Sequence, residues 1–326
     1  MAKQKKRKIH IKKKNFAIFL IVLFLVLYAV VQLCFLTFKV ITSFHHEKKG
    51  TPTPTASTNP SPSVSPSAST NPSPSATTHT GIEELDYIDQ KLDYFNYEYL
   101  DRYLNYKKKN PSLSPEDVVM DVNIGLDYDY YTHTSPATNV DSNLVLVNKY
   151  HSLSDSYVPS DLKSISSHYA LEDMKLRYEA KIAFENMAKD ASKEDLDIIA
   201  MSSYRSYRYQ INLYNRYKKQ DGEEAADTYS GRPGFSEHQT GLAVDVYNGT
   251  VTYTNFHKTK EFKWMQDHAH EYGFILRFPK DKEKRTGYVY ESWHYRYVGL
   301  RDAEIIHNEN LCLEEYYVKY VEQKKD

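Results

Sequence analysis

Two short stretches hold the side chains that could do chemistry. Residues 236–245 read Ser-Glu-His-Gln-Thr-Gly-Leu-Ala-Val-Asp, and residues 291–294 read Glu-Ser-Trp-His. Together they offer two imidazoles and one carboxylate that could hold a metal, with a further carboxylate left to act as a base. Two His and one carboxylate, with a fourth position open, make the ligand set of a hydrolytic zinc site. The pattern around them supports that use. His238 precedes a turn at Gly241, and residues 242–247 alternate as a strand, with Leu242, Val244 and Val246 facing one way and Ala243 and Asp245 the other. An Asp between two valines in a strand is costly to bury unless it is paired or metal-bound. Ala243 is small and leaves room beside it. Glu291 and His294 stand three residues apart and lead into an alternating run at 295–298.

Ser-x-His-x-x-Gly-x-Ala-x-Asp followed by Glu-x-Trp-His resembles the zinc carboxypeptidases of the VanY type, which cut D-alanyl-D-alanine ends of bacterial wall peptides. Three more stretches match that family's pattern: residues 146–159 (Leu-Val-Asn-Lys-Tyr-His-Ser-Leu-Ser-Asp-Ser-Tyr-Val-Pro), 202–210 (Ser-Ser-Tyr-Arg-Ser-Tyr-Arg-Tyr-Gln) and 232–237 (Arg-Pro-Gly-Phe-Ser-Glu). The resemblance runs from about residue 143 to residue 317. It implies Zn2+ held by His238, Asp245 and His294. It implies Glu291 as the general base, the alternative being a partner that only orients a ligand. Arg205 follows a predicted strand. A fixed guanidinium there can stabilise an oxyanion or grip a terminal carboxylate, and the resemblance assigns it to the substrate site. Ser203 stands where family members usually carry Gly. Ser206, Gln210 and Ser236 are further substrate-contact candidates, with a cap or turn role as the alternative for each. His268 and His270 look like a metal pair, but two apart on a helix they point to different faces and read as solvated. Arg296 and Tyr297 read as braces for their strand.

The elements that must position these residues are mixed strands and helices. Residues 144–147 and 198–201 read as short apolar strands, and 288–290 and 295–298 as strands flanking the second motif. Residues 172–191 read as a helix with Leu176, Ala180, Ala183, Phe184, Met187, Ala188 and Ala191 on one stripe. Helices are also predicted from Tyr207 onward and over 260–272, the latter ending at Gly273. No βαβ unit repeats, so the pattern predicts an α+β fold with helices packed on a small antiparallel sheet.

Upstream, residues 81–140 read as a helical preface. Leu85, Ile88, Leu92, Phe95 and Tyr99 have helical spacing over 83–106. A second helix opens at Ser114 with Pro115 and Asp117 and ends at Gly125. Residues 51–80 contain seven of the thirteen prolines and no Lys, Arg, Asp or Glu, so 39–80 reads as an extended linker. Residues 15–38 carry no charge over 24 positions, enough helix to span a membrane, and the basic segment 1–14 predicts that the N-terminus is cytoplasmic; a cleaved signal peptide is the rival reading, against which stand the length of the run and the lack of an Ala-x-Ala site after it. The catalytic domain is placed at 141–326, outside the cell.

The 326-residue chain has a formal net charge of −1, but eight Lys or Arg sit in its first fourteen residues. The remainder is acidic, which argues against nucleic acid as a partner. Cys34 and Cys312 form no disulfide framework. The expected protein is therefore a membrane-anchored zinc D-alanyl-D-alanine carboxypeptidase that removes the terminal D-Ala of peptidoglycan stem peptides, acting as a monomer. The motifs leave open L,D-carboxypeptidase and D,D-dipeptidase activity. A non-catalytic wall-binding zinc protein would be expected to lack the base, and Glu291 is present.

Overall fold

Four strands carry the candidate site. In the computed structural model, which describes residues 85–322 apart from Tyr87, they are β5 (Ile199–Ser202), β6 (Ala243–Tyr247), β7 (Phe274–Phe278) and β8 (Glu291–Tyr297). They form one antiparallel sheet in the order β5-β6-β8-β7. Two small pairs precede it: β1 (Ser135–Pro136) beside β2 (His151–Ser152), and β3 (Leu162–Ser164) beside β4 (Lys175–Arg177). The fold is α+β, as the pattern predicts.

Alternation along β6 gives the sheet two unlike faces. Val244 and Val246 join Tyr295 and Phe274 in the main core, beneath Phe184 and Met187 of the helix Tyr178–Ser192 and Phe262 and Met265 of the helix Lys260–His268. Phe184 is fully buried and meets Phe274 edge to face at 6.3 Å between ring centroids. Truncating such a residue to Ala costs about 3–5 kcal/mol. The other face carries charge. Asp245 pairs with His294 across β6 and β8, and Ala243 pairs with Arg296. Over this face lies the 3-10 turn Glu237–Thr240, closed by Gly241 at φ 67°. A Cβ on Gly241 would stand 2.8 Å from a methyl carbon of Leu162, so both the left-handed backbone and the close approach require glycine. Ile275 and Val298 pack against the C-terminal residues Ala303, Ile306, Leu313 and Tyr316.

Several expected boundaries move. Residues 83–106 do not form one helix. Two 3-10 turns, Ile88–Gln90 and Tyr97–Tyr99, precede a helix at Leu100–Lys109, because Asn96 turns the chain by accepting from the Glu98 amide at 2.9 Å. The helix Pro115–Ile124 has the expected Ser114 cap, and Gly125 takes φ 99°. In the segment 144–147, Leu144 is half-buried and Val145, Leu146 and Val147 are buried, but none pairs with a strand. Arg296 instead takes the carbonyls of Asn143 and Val145 at 2.9 and 2.8 Å. The helix expected over 172–191 begins only at Tyr178, because Lys175–Arg177 pairs as β4. Residues 288–290 are not a strand, and β7 was not anticipated. Among the described residues no helix is long and apolar enough to cross a membrane. The basic segment at 1–14, the anchor expected at 15–38 and the whole linker at 39–80 lie outside the described residues.

Candidate active site

The sheet register brings the two motifs together. Ser202 faces Asp245 and Asp245 faces His294, so three neighbouring strands line up one row of polar positions. Strict alternation would put Glu291 and His294, three apart, on opposite faces of β8. The register breaks there: Leu276 pairs with Tyr295 while Phe278 pairs with Glu291, so a two-residue step on β7 matches a four-residue step on β8. This irregularity turns Glu291 back, and its Oε2 lies 3.6 Å from His294 Nδ1.

His238, Asp245 and His294 converge, with one ligand-type atom from each lying within 4.8 Å of the others. All three are buried. His238 Nδ1 donates to the Ser203 carbonyl at 2.7 Å, which leaves Nε2 facing Asp245 Oδ2 at 3.4 Å. His294 presents its other nitrogen, Nδ1, to Asp245 Oδ1 at 3.1 Å. Arg205 Nη2 donates to Asp245 Oδ2 at 2.7 Å and its Nε to Ser202 Oγ at 3.0 Å. The Arg205 backbone amide donates to the His238 carbonyl at 3.1 Å, which ties the arginine stretch to the turn.

Electrostatics separate the four groups. Burial, helped by the Arg205 charge, lowers His238 to about 4, so it is a neutral lone-pair donor at neutral pH. Burial alone would raise Asp245. His238, His294 and Arg205 outweigh it and hold this carboxylate well below its usual range. Burial likewise opposes the charged form of His294, but the Asp245 and Glu237 carboxylates beside it, with Glu291, raise it to about 9. Glu291 goes the other way: burial dominates and lifts it to about 8. Two carboxylates in one cluster are thus pushed apart, the usual mark of divided roles.

The residues fit a zinc ion. Two imidazole nitrogens and one carboxylate converge, and Asp245 Oδ1 is buried with no donor in bonding geometry, although His294 Nδ1 lies 3.1 Å away. A buried, unpaired carboxylate oxygen is costly unless a cation completes it.

The weaker candidates divide. The Ser206 hydroxyl caps the helix Tyr207–Asp221 by accepting from the Tyr209 amide at 3.2 Å. Gln210 is buried and donates to the Gly231 carbonyl at 2.7 Å, while its Oε1 has no partner. Ser236 is buried and makes no side-chain cap bond to the turn that follows it. His270 stacks on His307 at 3.7 Å and His268 bonds Glu271, so neither belongs to the cluster. The sequence reading missed Glu237 and Arg277, which are both buried beside the cluster and paired at 2.8 Å. A signal existed: Arg277 interrupts Phe-Ile-Leu-Arg-Phe, and a charge inside an apolar strand demands a partner.

The VanY pattern, described as D-alanyl-D-alanine carboxypeptidase, matches residues 173–300. A Bacillus subtilis (strain 168) protein whose carboxypeptidase name is itself provisional, YodJ, is 42% identical over 188 residues, covering 56% of this chain and 69% of its own length. A D-alanyl-D-alanine carboxypeptidase of Enterococcus faecium is 36% identical over 192 residues, covering 56% of this chain and 59% of its own. Among solved structures, the LdcB LD-carboxypeptidase is 39% identical with a TM-score of 0.55, covering 58% of this chain and 91% of that one. The matched region holds both metal-type motifs, the arginine stretch and the sheet that aligns them, and the chain belongs to the VanY carboxypeptidase family.

Proposed function

We propose that this chain is a zinc-dependent carboxypeptidase that removes the C-terminal D-Ala of peptidoglycan stem peptides, held at the outer face of the membrane by residues 15–38. The observation that carries the reading is the convergence of His238, Asp245 and His294 with Glu291 buried at 3.6 Å from His294 Nδ1. His238 Nε2, an Asp245 oxygen and His294 Nδ1 would hold the ion. Zinc, when bound, supplies Lewis-acid chemistry and eases the ionisation of water. Glu291, in its ionised form, takes the proton of the attacking water and returns it to the leaving amine. Its buried setting keeps bulk water from competing for that proton. Arg205 is fixed by Asp245 and Ser202. Its Nη1 makes no hydrogen bond among the described residues and is available to a substrate oxygen.

A second reading, L,D-carboxypeptidase activity on tetrapeptide stems, is favoured by the likeness to LdcB. A non-catalytic wall-binding role is disfavoured, because Glu291 is retained within reach of the cluster. The deciding experiment incubates the purified full chain with defined tetrapeptide and pentapeptide stems and identifies the released residue. D-Ala from the pentapeptide alone supports D,D-activity, and D-Ala from the tetrapeptide alone supports the second reading. Activity should vanish with a strong chelator and return with zinc. Undiminished turnover in demonstrably metal-free protein would overturn the zinc reading.

A further inference from the structure

Glu237 precedes His238 and is buried at the start of the 3-10 turn that covers the charged face of the sheet. Its Oε1 accepts from Arg277 Nε at 2.8 Å and from Arg296 Nη1 at 2.9 Å. Both arginines are themselves held. Arg277 donates its other edge to Glu314 at 2.9 and 2.6 Å, and Arg296 donates to the Asn143, Val145 and Tyr297 carbonyls. The carboxylate therefore cannot swing. Its second oxygen, Oε2, is buried without a hydrogen bond, and so is His294 Nε2. These two orphans face each other at 3.6 Å.

We propose that Glu237 is the positioning residue of His294: clamped by Arg277 and Arg296, it accepts the Nε2 proton of His294 and so keeps Nδ1, lone pair outward, turned to the ligand cluster. A closure of a few tenths of an ångström converts the two orphans into one hydrogen bond. The ring's tautomer and orientation then follow from its second nitrogen. His238 is handled in the mirrored way, with Nδ1 on the Ser203 carbonyl and Nε2 to the cluster. With His294 in its neutral, metal-binding form, the two histidines thus carry their protons on opposite nitrogens, each facing a rigid acceptor. The assignment rests on the zinc reading above.

The test compares Glu237→Gln with Glu314→Gln, both as full chains checked for folding. Gln at 237 cannot serve both sides. With its oxygen on the guanidinium donors, its NH2 group meets the imidazole N–H. Glu314→Gln removes charge from the same Arg277 without touching His294. Zinc affinity by chelator competition should fall roughly 10–100-fold in Glu237→Gln and stay near wild type in Glu314→Gln. Equal losses in the two variants, or none in a folded Glu237→Gln, would overturn the proposal. If Glu237→Gln does not fold, the wild type still decides. Zinc-loaded protein labelled with 15N-histidine should show a solvent-protected Nε2–H on His294, assigned through its proximity to the Phe278 ring, whose centroid lies 4.9 Å away. Absence of that proton overturns the assignment. A wild type that binds no zinc is a different outcome, which removes the zinc reading and the positioning role with it.

Discussion

Glu291 and Glu315 are the same residue type, both nearly excluded from solvent, at 5% and 2% exposure, yet they behave oppositely. Glu315 lies near the C-terminus, where both its oxygens are occupied. Lys282 Nζ donates to the two at 2.9 and 2.8 Å, the Cys312 amide donates at 2.7 Å, and Arg285 Nη1 donates to Oε1. Burial raises its pKa, and these donors overcome that and lower it. Arg285 also reaches Asp117 and Asp121, so the network fastens the helix Pro115–Ile124 to the rest of the chain. Glu291 has no such company. Among the described residues it accepts no hydrogen bond, and burial lifts it to about 8. A buried carboxylate whose oxygens are all answered is a strut. One left unanswered beside other unanswered polar atoms is available for chemistry.

The sharpest way to break this comparison is to remove the groups around which the unanswered atoms gather. His238→Ala and Asp245→Ala should each lose bound zinc and all measurable turnover while remaining folded, read by metal content and stem-peptide hydrolysis. Zinc retained at wild-type stoichiometry in both variants would place the metal elsewhere. Next in size is Glu291→Gln, which keeps the shape but cannot take a proton. Turnover should fall roughly 10²–10⁴-fold with zinc content unchanged. If zinc is lost as well, Glu291 belongs to the metal shell and its isolation has another meaning.

Arg205 sharpens the contrast, because it touches the cluster and is 19% exposed at its side chain. Arg205→Lys keeps the charge but not the planar fork that reaches Asp245 and Ser202 together. Both KM and kcat should worsen, by less than the loss in Glu291→Gln. An effect on KM alone would leave Arg205 a binding residue with no part in stabilising charge during the reaction.

The candidate site was more legible than the fold that frames it. The convergence of His238, Asp245 and His294 could be anticipated because two spaced motifs, one with a lone Asp between valines, together matched the pattern of a known family. Strand β7 escaped because Phe-Ile-Leu-Arg-Phe has no alternation: the strand is buried on both faces, and Arg277 is answered by Glu237 and Glu314 from distant parts of the chain. The segment 144–147 looked like a strand because it is apolar, yet the Val145 carbonyl, with that of Asn143 just before the segment, goes to a guanidinium. The expected helix over 83–106 had the right spacing, but Asn96 capped a new start within it. Periodicity reports burial. It does not report which partner satisfies the backbone.

The smallest predicted effect lies in the strut. Glu315→Gln should destabilise the chain by about 1–2 kcal/mol at neutral pH, the range for a charged hydrogen-bonded group whose partners Lys282 and Arg285 keep some access to water. The sign of its pH dependence follows from the lowered folded pKa. Such a carboxylate stabilises the native state above its unfolded pKa, near 4.5, and that contribution is lost as pH falls through the lower folded value. The groups around it are Lys282, Arg285 and the Cys312 amide, with Asp117 and Asp121 beyond Arg285. Wild type and variant both keep Asp117 and Asp121, so the gap between them, not either slope alone, reports Glu315. Thermal unfolding of wild type and Glu315→Gln between pH 7 and pH 3 should therefore show a constant gap down to about pH 4.5 and a shrinking one below it. Zinc content and turnover at pH 7 should match the wild type. If the gap instead grows on acidification, or if turnover drops at 25 °C in a folded variant, the strut and the site are not separable, and the opposition between Glu315 and Glu291 fails.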